Sequence, residues 1–329
     1  MKKYASGIVL PELEPLLELT ERVGSNPLLT QASTGNTSIK LDGVLWIKAS
    51  GRWMADALQD DILIPLDLAE VRECLRQGGD PAARHPAASV ETAMHALLPH
   101  RVVVHVHCVN TIAWAIREDG PVHLRYRLGN LPWQWIRYVP SGIPLAMEMV
   151  RALSSRPKTD VFVMGNHGLV VAGENAEAVQ TLLDEVTRCL AIPPRPAPPA
   201  DRASLLALCQ DSRWALPCDE GLHALGTDAI SRDTIEGGLL YPCQALFFGP
   251  AQEKRLFQIV GGRGVVVSRS ITPAELAMLS GLVQVLQRVR AYAPLRYLTD
   301  AELARLSGRA AGRYRELASA DRSRAPALR

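Results

Sequence analysis

Two histidines in one apolar segment are the residues of this chain best suited to chemistry. The segment reads Val102-Val103-Val104-His105-Val106-His107, and its valines favour a β-strand. Because side chains alternate between the two faces of a strand, His105 and His107 are predicted to point to the same side. Two imidazoles on one face form half of a metal site. The alternative is a pair of core histidines that hydrogen-bond to their surroundings.

A third histidine lies further along the chain, in the sequence Asn166-His167-Gly168. It stands between two apolar runs, which predicts a tight turn joining two strands. If the fold brings His167 beside the other two, the three imidazoles suit Zn²⁺ and leave one position open for substrate. Spacing alone does not show whether the fold does so.

Glu91 is the acidic residue best placed to act with these histidines. A helix is predicted over residues 89–98, with Ser89 as its N-cap and Glu91 in its first turn, and it leads into the histidine strand. A carboxylate is stabilised at a helix N-terminus without any catalytic role. Beside a divalent cation it can instead be a weak ligand or a base towards a carbon acid. His95 shares the helix face of Glu91 and is expected to pack behind it.

Two turns are rich in backbone N–H groups and hydroxyls, namely Gly35-Asn36-Thr37-Ser38 and Ser50-Gly51. Such turns can cradle a phosphate or a carboxylate. Most turns of this composition are only turns, so each is weak evidence taken singly. Lys48 is close enough in sequence to Ser50 to add positive charge.

The elements around these residues alternate between helix and strand, which predicts an α/β fold. Helices are expected over residues 13–24, 111–117 and 176–190, and strands over residues 44–48 and 168–173. Asp42-Gly43 is typical of a hairpin turn. The proline-rich segment from Ile192 to Pro199 is predicted to be an extended linker.

This linker divides the chain into a predicted catalytic domain (1–192), a linker (193–200) and a smaller C-terminal domain (201–329). In the last of these, helices are predicted over residues 203–209, 273–291 and 300–317. Short apolar runs lie at residues 245–248 and 265–267, and the polar tail 319–329 is expected to fray.

The composition excludes several classes of protein. An apolar fraction of 47% and a charged fraction of 21% are typical of globular proteins, and a net charge of +2 gives no reason to expect nucleic acid or membrane as a partner. No apolar run reaches the roughly 18 to 20 residues of a membrane span. Pro11, Glu12 and Glu14 interrupt the N-terminal apolar stretch, so no signal peptide is expected. The six cysteines form no C-x-x-C pair, which predicts reduced thiols and a cytoplasmic location.

Taken in chain order, the motifs resemble those of the class II aldolase/adducin family, which includes the fuculose- and rhamnulose-phosphate aldolases. The matching pieces are Gly35-Asn36-Thr37-Ser38, Ser50-Gly51, Ser89-x-Glu91-x-x-x-His95, His105-x-His107 and Asn166-His167-Gly168. They cover about residues 11 to 191. The region after them resembles, more weakly, the C-terminal region of longer rhamnulose-phosphate-aldolase-like proteins, and it carries no catalytic motif.

The resemblance implies a three-layer α/β/α domain around a mixed sheet, followed by a smaller α+β domain, in a homo-oligomer that is usually a tetramer. It implies Zn²⁺, or alternatively Mn²⁺, Co²⁺ or Fe²⁺, on His105, His107 and His167, with Glu91 as the acid/base. The pocket for the substrate's phosphate would be lined by Asn36, Ser50, Gly51 and Ser89. A tyrosine from a neighbouring subunit would donate a proton, with Tyr126 and Tyr138 as the candidates.

Two positions depart from the pattern of the family. A serine that contacts phosphate in the family is Val90 here, and the residue after Ile47 is Lys48 rather than threonine. These departures bear on phosphate recognition more than on metal binding.

The implied function is a metal-dependent lyase of carbohydrate metabolism, an aldolase that cleaves or forms a carbon–carbon bond of a phosphorylated ketose through an enediolate. The metal would stabilise the negative charge, and Glu91 would move the proton on carbon. The alternative is a decarboxylase of a sugar acid or hydroxy acid, because loss of carbon dioxide generates a similar anion. A non-catalytic, adducin-like interaction module is the third possibility, although it has no reason to keep three histidines and a glutamate in register.

Overall fold

The computed structural model of the protein describes residues 11–249 and 256–306. Its first part is built on seven strands, which are β1 (Asn36–Leu41), β2 (Val44–Lys48), β3 (Leu63–Asp67), β4 (Val102–Val106), β5 (Trp133–Ile136), β6 (Val161–Met164) and β7 (Gly168–Gly173). They form one sheet in the order β3-β2-β1-β4-β7-β6-β5. Among these strands, β5 and β6 pair in parallel and the other neighbours pair antiparallel. The sheet is therefore mixed.

Helices cover both faces of this sheet. They are α1 (Glu14–Gly24), α2 (Leu68–Arg76), α3 (Pro81–Arg84), α4 (Thr92–Leu97), α5 (Val109–Ala115), α6 (Gly120–Leu128), α7 (Ile143–Ser155) and α8 (Ala176–Leu190). Alternate residues of β4 enter different apolar clusters, since Val102 and Val104 pack with residues of α1 and α8, whereas Val103 packs with residues of α4 and α7. This arrangement confirms the predicted three-layer α/β fold.

Residues 193–200 contain neither helix nor strand, and most of them are exposed. Ala197 nevertheless packs against the apolar core of the C-terminal region, and the Arg195 N–H donates to the Gln287 carbonyl at 2.8 Å. The helices that follow are α9 (Arg202–Cys209), α10 (Ala224–Thr227), α11 (Ala229–Glu236), α12 (Pro242–Phe248), α13 (Pro273–Leu286) and α14 (Asp300–Leu306). Strands β8 (Trp214–Ala215), β9 (Phe257–Val260) and β10 (Gly264–Ser268) form an antiparallel sheet in the order β8-β10-β9. This C-terminal region (residues 201–306 of the structure) has the predicted α+β composition.

The C-terminal region shares an apolar core with helix α5. Ile112 of α5 and Ile116, which follows this helix directly, belong to the same buried cluster as Phe248 of α12 and Leu279 and Val283 of α13. Helix α5 begins two residues after His107. The shared core places the C-terminal region beside the end of the histidine strand. The domain limits expected from the sequence (1–192, 193–200 and 201–329) stay a prediction.

The main differences in extent concern two predicted helices, and the structure also assigns a type to one of the apolar runs. The helix expected from Ser89 begins at Thr92, because the Ser89 carbonyl and hydroxyl accept hydrogen bonds from the N–H groups of Thr92 and Glu91 in a preceding turn. The apolar run 245–248 lies in helix α12, and the helix expected over 273–291 ends at Leu286. The rest of the helix predicted to 317 and the tail 319–329 lie outside the described residues.

Within residues 11–249 and 256–306, no helix combines the length and the apolar character that crossing a bilayer requires.

Candidate metal centre

Strand order brings the three histidines together. His105 lies in β4, whose neighbours are β1 and β7, and it is paired with Asn36 on one side and Val170 on the other. His107 follows directly after the end of β4, and His167 lies in the turn between β6 and β7. Because β7 runs antiparallel beside β4, this turn reaches the end of β4 that carries His107. The sheet topology, and not the spacing in the sequence, therefore brings His167 beside His105 and His107.

The three imidazoles form a compact, buried cluster. The Nε2 atoms of His105 and His107 are 3.1 Å apart, and one ring nitrogen from each of the three residues lies within 4.8 Å of the others. All three side chains are buried. In a tetrahedral zinc site with Zn–N bonds of about 2.0–2.1 Å, ligand nitrogens lie roughly 3.3 Å apart. The separation of the two Nε2 atoms is close to that value.

The outer ring nitrogens of two histidines have partners. Nδ1 of His105 lies 3.0 Å from the Leu169 carbonyl, which accepts its proton, and Nδ1 of His107 lies 3.3 Å from Sγ of Cys243. A proton on Nδ1 leaves the Nε2 lone pair of each ring directed into the cluster. Metal-binding histidines in proteins are usually fixed by such an outer contact.

Glu91 completes the cluster. Its two carboxylate oxygens approach the histidines, with Oε2 at 3.4 Å from His105 Nε2 and Oε1 at 3.5 Å from His167 Nε2. The Asn36 amide donates to Oε2 at 2.8 Å, whereas the buried Oε1 has no hydrogen-bond partner among the described residues. A buried carboxylate oxygen rarely stays unpaired. A divalent cation held by three imidazoles would satisfy it, so the residues present fit a metal such as Zn²⁺.

The protonation states of these groups also fit a cation. Burial alone would raise the pKa of Glu91, but the charges of His105 and His167 and the Asn36 hydrogen bond outweigh it and hold that pKa at about 2. Burial lowers the pKa of His167 to about 4 and that of His107 well below its usual value. Near neutral pH the centre therefore combines the Glu91 carboxylate with neutral imidazoles at His107 and His167, which are the forms that bind metal.

A hydrogen-bonded chain holds the Glu91 carboxylate in place. Nε2 of His95 contacts Oδ1 of Asn36, and the Ser38 hydroxyl lies 2.6 Å from His95 Nδ1. Asn36 in turn donates from Nδ2 to Glu91 and to the Ser89 hydroxyl, at 2.8 and 3.1 Å. His95 was expected to pack behind Glu91, and the structure shows that it orients Asn36, which binds Glu91.

The residues predicted to bind an anion lie on two segments that contact each other. Ala49 and Ala88 form a β-bridge, and the Ser50 N–H donates to the Ala87 carbonyl at 2.8 Å. The bridge brings the segment that carries Ser50 and Gly51 beside the segment that leads to Ser89. Asn36 and Ser89 contact each other and Glu91, whereas the roles of all four predicted substrate-binding residues (Asn36, Ser50, Gly51 and Ser89) stay a prediction.

The two positions that depart from the family pattern have different surroundings. The Lys48 ammonium is buried and donates to the carbonyls of Ser33, Ala49 and Arg52 at 3.0, 3.3 and 2.7 Å. Burial lowers the pKa of Lys48 to about 7. Its donors are used within the protein, so Lys48 does not extend into the pocket as the sequence suggested. The Val90 side chain is half-exposed next to Ser89.

Two glycines make the close approach of these segments possible. A Cβ atom on Gly168 would lie 2.6 Å from the Val106 carbonyl oxygen and 3.4 Å from Cε1 of His105. A Cβ atom on Gly35, whose φ is +69°, would lie 2.6 Å from the His105 carbonyl oxygen. Both glycines belong to the sequence motifs, and both leave room for the histidine strand.

The two candidate tyrosines lie in different environments. Tyr126 on α6 is 83% exposed. Tyr138 is half-buried with the Arg296 guanidinium over its ring at 5.1 Å, and burial raises its pKa to about 12. The exposed Tyr126 is available to another subunit, and Tyr138 is covered by the C-terminal region.

Sequence reasoning missed the contacts made by the C-terminal region. Cys243 on α12 touches His107, and the Asn166 amide donates to the carbonyls of Leu240 and Arg296 at 2.7 and 2.8 Å. The Arg296 guanidinium also donates to Asn166 Oδ1 at 3.1 Å. Nothing in the local sequence of Cys243 or Arg296 marks them, because their role depends on how two distant segments pack.

The fold and the cluster define a three-layer α/β protein with a buried site of three imidazoles and one carboxylate. A family model described as "Class II Aldolase and Adducin N-terminal domain" matches residues 16–192, which is more than half of the chain. The chain belongs to this family, which confirms the resemblance seen in the sequence motifs.

Several known proteins are similar to the chain. An uncharacterized oxidoreductase, YuxG, of Bacillus subtilis (strain 168) is 26% identical over 187 residues, which are 50% of this chain and 27% of YuxG. The chain thus matches about a quarter of that relative's length. The N-terminal class II aldolase domain of a conserved protein from Thermoplasma acidophilum has a TM-score of 0.47 and 22% identity, over 57% of this chain and 97% of that one. The L-fuculose-1-phosphate aldolase from Thermus thermophilus has a TM-score of 0.38 and 20% identity, over 60% of this chain and 98% of that one.

Proposed function

We propose that this protein is a metal-dependent lyase that cleaves or forms a carbon–carbon bond next to a carbonyl group, with a phosphorylated ketose as substrate. The observation that carries the proposal is the buried Glu91 Oε1, which lies 3.5 Å from His167 Nε2 and has no hydrogen-bond partner among the described residues. In this proposal His105, His107 and His167 hold Zn²⁺, or Mn²⁺, Co²⁺ or Fe²⁺ in its place. When bound, the cation supplies Lewis acidity, which stabilises negative charge on substrate oxygens.

Glu91 is the proposed acid/base. Its low pKa keeps it ionised, so it can take a proton from carbon in the bond-forming direction and return it after cleavage. Asn36 holds Oε2 through its amide, and His95 and Ser38 fix the amide in turn. This chain of contacts orients the carboxylate before substrate arrives, which reduces the reorganisation needed during proton transfer.

The anionic end of the substrate is proposed to bind at Ser50, Gly51 and Ser89. Ser50 and Ser89 have hydroxyl groups and Gly51 has a backbone N–H, which are groups that can bind an anion. A decarboxylase of a sugar acid or hydroxy acid is the second candidate, because Lys48 uses its donors on backbone carbonyls and Val90 is apolar. Both reactions generate a carbanion next to a carbonyl, which the same groups can stabilise. A non-catalytic interaction module, known in this family from adducin, is the remaining alternative.

The assembly and location of the protein are part of the same proposal. We expect a cytoplasmic homo-oligomer, in which a tyrosine of a neighbouring subunit donates a proton to the aldehyde oxygen as the carbon–carbon bond forms. Tyr126 is exposed and suited to that role. Residues 1–192 would form the catalytic domain and residues 201–329 an accessory domain.

The test is metal content together with activity. Protein purified without chelators or a histidine tag should contain about one divalent metal ion per chain by plasma mass spectrometry, and it should act on sugar phosphates or hydroxy acids. His107→Ala should lose metal and activity together, because one of the three imidazoles is removed. His85→Ala, which changes a histidine outside the cluster, should keep both. A wild-type chain that takes up no metal on reconstitution would favour the interaction module.

A further inference from the structure

We propose that Cys243, in the C-terminal region, is a positioning residue for His107 and thereby raises the metal affinity of a centre whose ligands all lie in the N-terminal region. This inference rests on the proposed function, since it assumes that the cluster binds a divalent cation. Cys243 lies outside residues 16–192, the part of the chain that the family model matches. Its role would therefore be an addition of this chain to the family's domain.

The contact between the two side chains is direct and buried. Sγ of Cys243 lies 3.3 Å from Nδ1 of His107, and the two residues are 6% and 5% exposed. Nε2 of the same ring faces Nε2 of His105 at 3.1 Å. The ring thus has one nitrogen directed into the cluster and the other directed at the thiol.

A neutral imidazole has two tautomers, and only one of them can bind a cation through Nε2. With the proton on Nδ1, the ring donates to Sγ and presents the Nε2 lone pair to the cluster. With the proton on Nε2, Nδ1 would accept from the Cys243 thiol, and the ring could bind no metal through Nε2. Metal binding therefore requires an acceptor for the Nδ1 proton, and at a buried position sulfur, although a weak acceptor, is better than none.

Hydrogen bonds of Leu240 hold the backbone just before Cys243 in place. Cys243 is the second residue of α12, where Pro242 occupies the first position. Just before the helix, the Leu240 carbonyl accepts from the Asn166 amide at 2.7 Å, and the Leu240 N–H donates to the Gln244 side chain at 2.7 Å. Asn166 precedes His167. A single short segment of the C-terminal region therefore contacts both His107 and the turn that carries His167.

The test compares metal affinity in full-length variants. Zn²⁺ affinity is measured by competition with a chelator, and the visible spectrum of the Co²⁺-loaded protein reports ligand geometry. Cys243→Ala should bind Zn²⁺ about tenfold more weakly, the lower end of the effect of removing an outer contact of a ligand, and should shift the Co²⁺ bands. Cys243→Ser, which keeps an acceptor, should restore most of the affinity. Cys209→Ala, a buried cysteine in another cluster of the same region, should bind like wild type.

The outcomes separate the inference from the proposed function. If wild type binds Zn²⁺ and Cys243→Ala has the same affinity and spectrum, the positioning role is wrong and the proposed function stands. If Cys209→Ala weakens binding as much as Cys243→Ala does, the effect comes from packing and the positioning role is again wrong. If wild type binds no metal, the proposed function fails and the inference fails with it. Should Cys243→Ala not fold, Cys243→Val, which fills the space without an acceptor, takes its place.

Discussion

The N-terminal sheet and the C-terminal region contribute to the same centre in different ways. The sheet places His105, His107 and His167 through strand pairing, so that their positions follow from backbone register. The C-terminal region contacts the centre from outside: Cys243 touches His107, and the carbonyls of Leu240 and Arg296 accept from Asn166, the residue before His167. Reactive groups and groups that contact them from behind can therefore come from separate parts of a chain.

The largest effect is expected at Glu91, which belongs to the N-terminal region. Glu91→Gln should keep the metal, because the three imidazoles remain, and should lower turnover by about 10²- to 10⁴-fold, the usual contribution of a positioned acid or base. Metal content and initial rates on the same preparation measure the two properties. Glu70→Gln is a matched control, since Glu70 lies in the first turn of α2 and is exposed.

Two results would contradict the role assigned to Glu91. Near-normal turnover in Glu91→Gln would remove Glu91 from proton transfer. Loss of the metal would instead make the carboxylate a required ligand, so that the centre would depend on four groups of the N-terminal region rather than three.

The sequence predicted the groups that follow strand periodicity and missed those that follow packing. His105 and His107 could be assigned to one face because a strand has a period of two. His167 was recognised only through its motif, because its position depends on β7 pairing with β4. Lys48 was predicted beside an anion and instead binds three carbonyls, since local sequence does not show which way a side chain at a strand end turns. Cys243 had no signal at all, because its contact joins segments far apart in the chain.

Lys48 provides a test of how far the N-terminal region supports its own loops. Lys48→Met should lower the free energy of unfolding by about 3 kcal/mol, because the carbonyls of Ser33, Ala49 and Arg52, of which the first two belong to buried residues, lose their donor. Chemical denaturation of the metal-free protein measures this change. Lys158→Met, at an exposed position, should be neutral. An unchanged stability of Lys48→Met would mean that water or the backbone replaces the ammonium.

The difference in stability between wild type and Lys48→Met should increase with pH. Burial lowers the pKa of Lys48 from 10.5 to about 7 in the folded protein. Between pH 7 and 10.5 the unfolded chain therefore binds more protons at this residue than the folded one, and the stability of wild type rises with pH relative to Lys48→Met. Denaturation at pH 7 and pH 9 should show this rise, and a difference that shrinks with pH would contradict it.

The smallest effect is expected where the two regions meet, at Asn166. Its φ of +50° suits glycine, so Asn166→Gly keeps the turn conformation and removes the side-chain bonds to Leu240 and Arg296. We expect a loss of about 1–2 kcal/mol in the free energy of unfolding, since two carbonyls lose their donor. Asn166→Ala should lose about 1 kcal/mol more, because a Cβ disfavours positive φ. If Asn166→Gly were instead as stable as wild type while Asn166→Ala was not, the turn that carries His167 would need only its backbone conformation, and the C-terminal region would act on the centre through Cys243 alone.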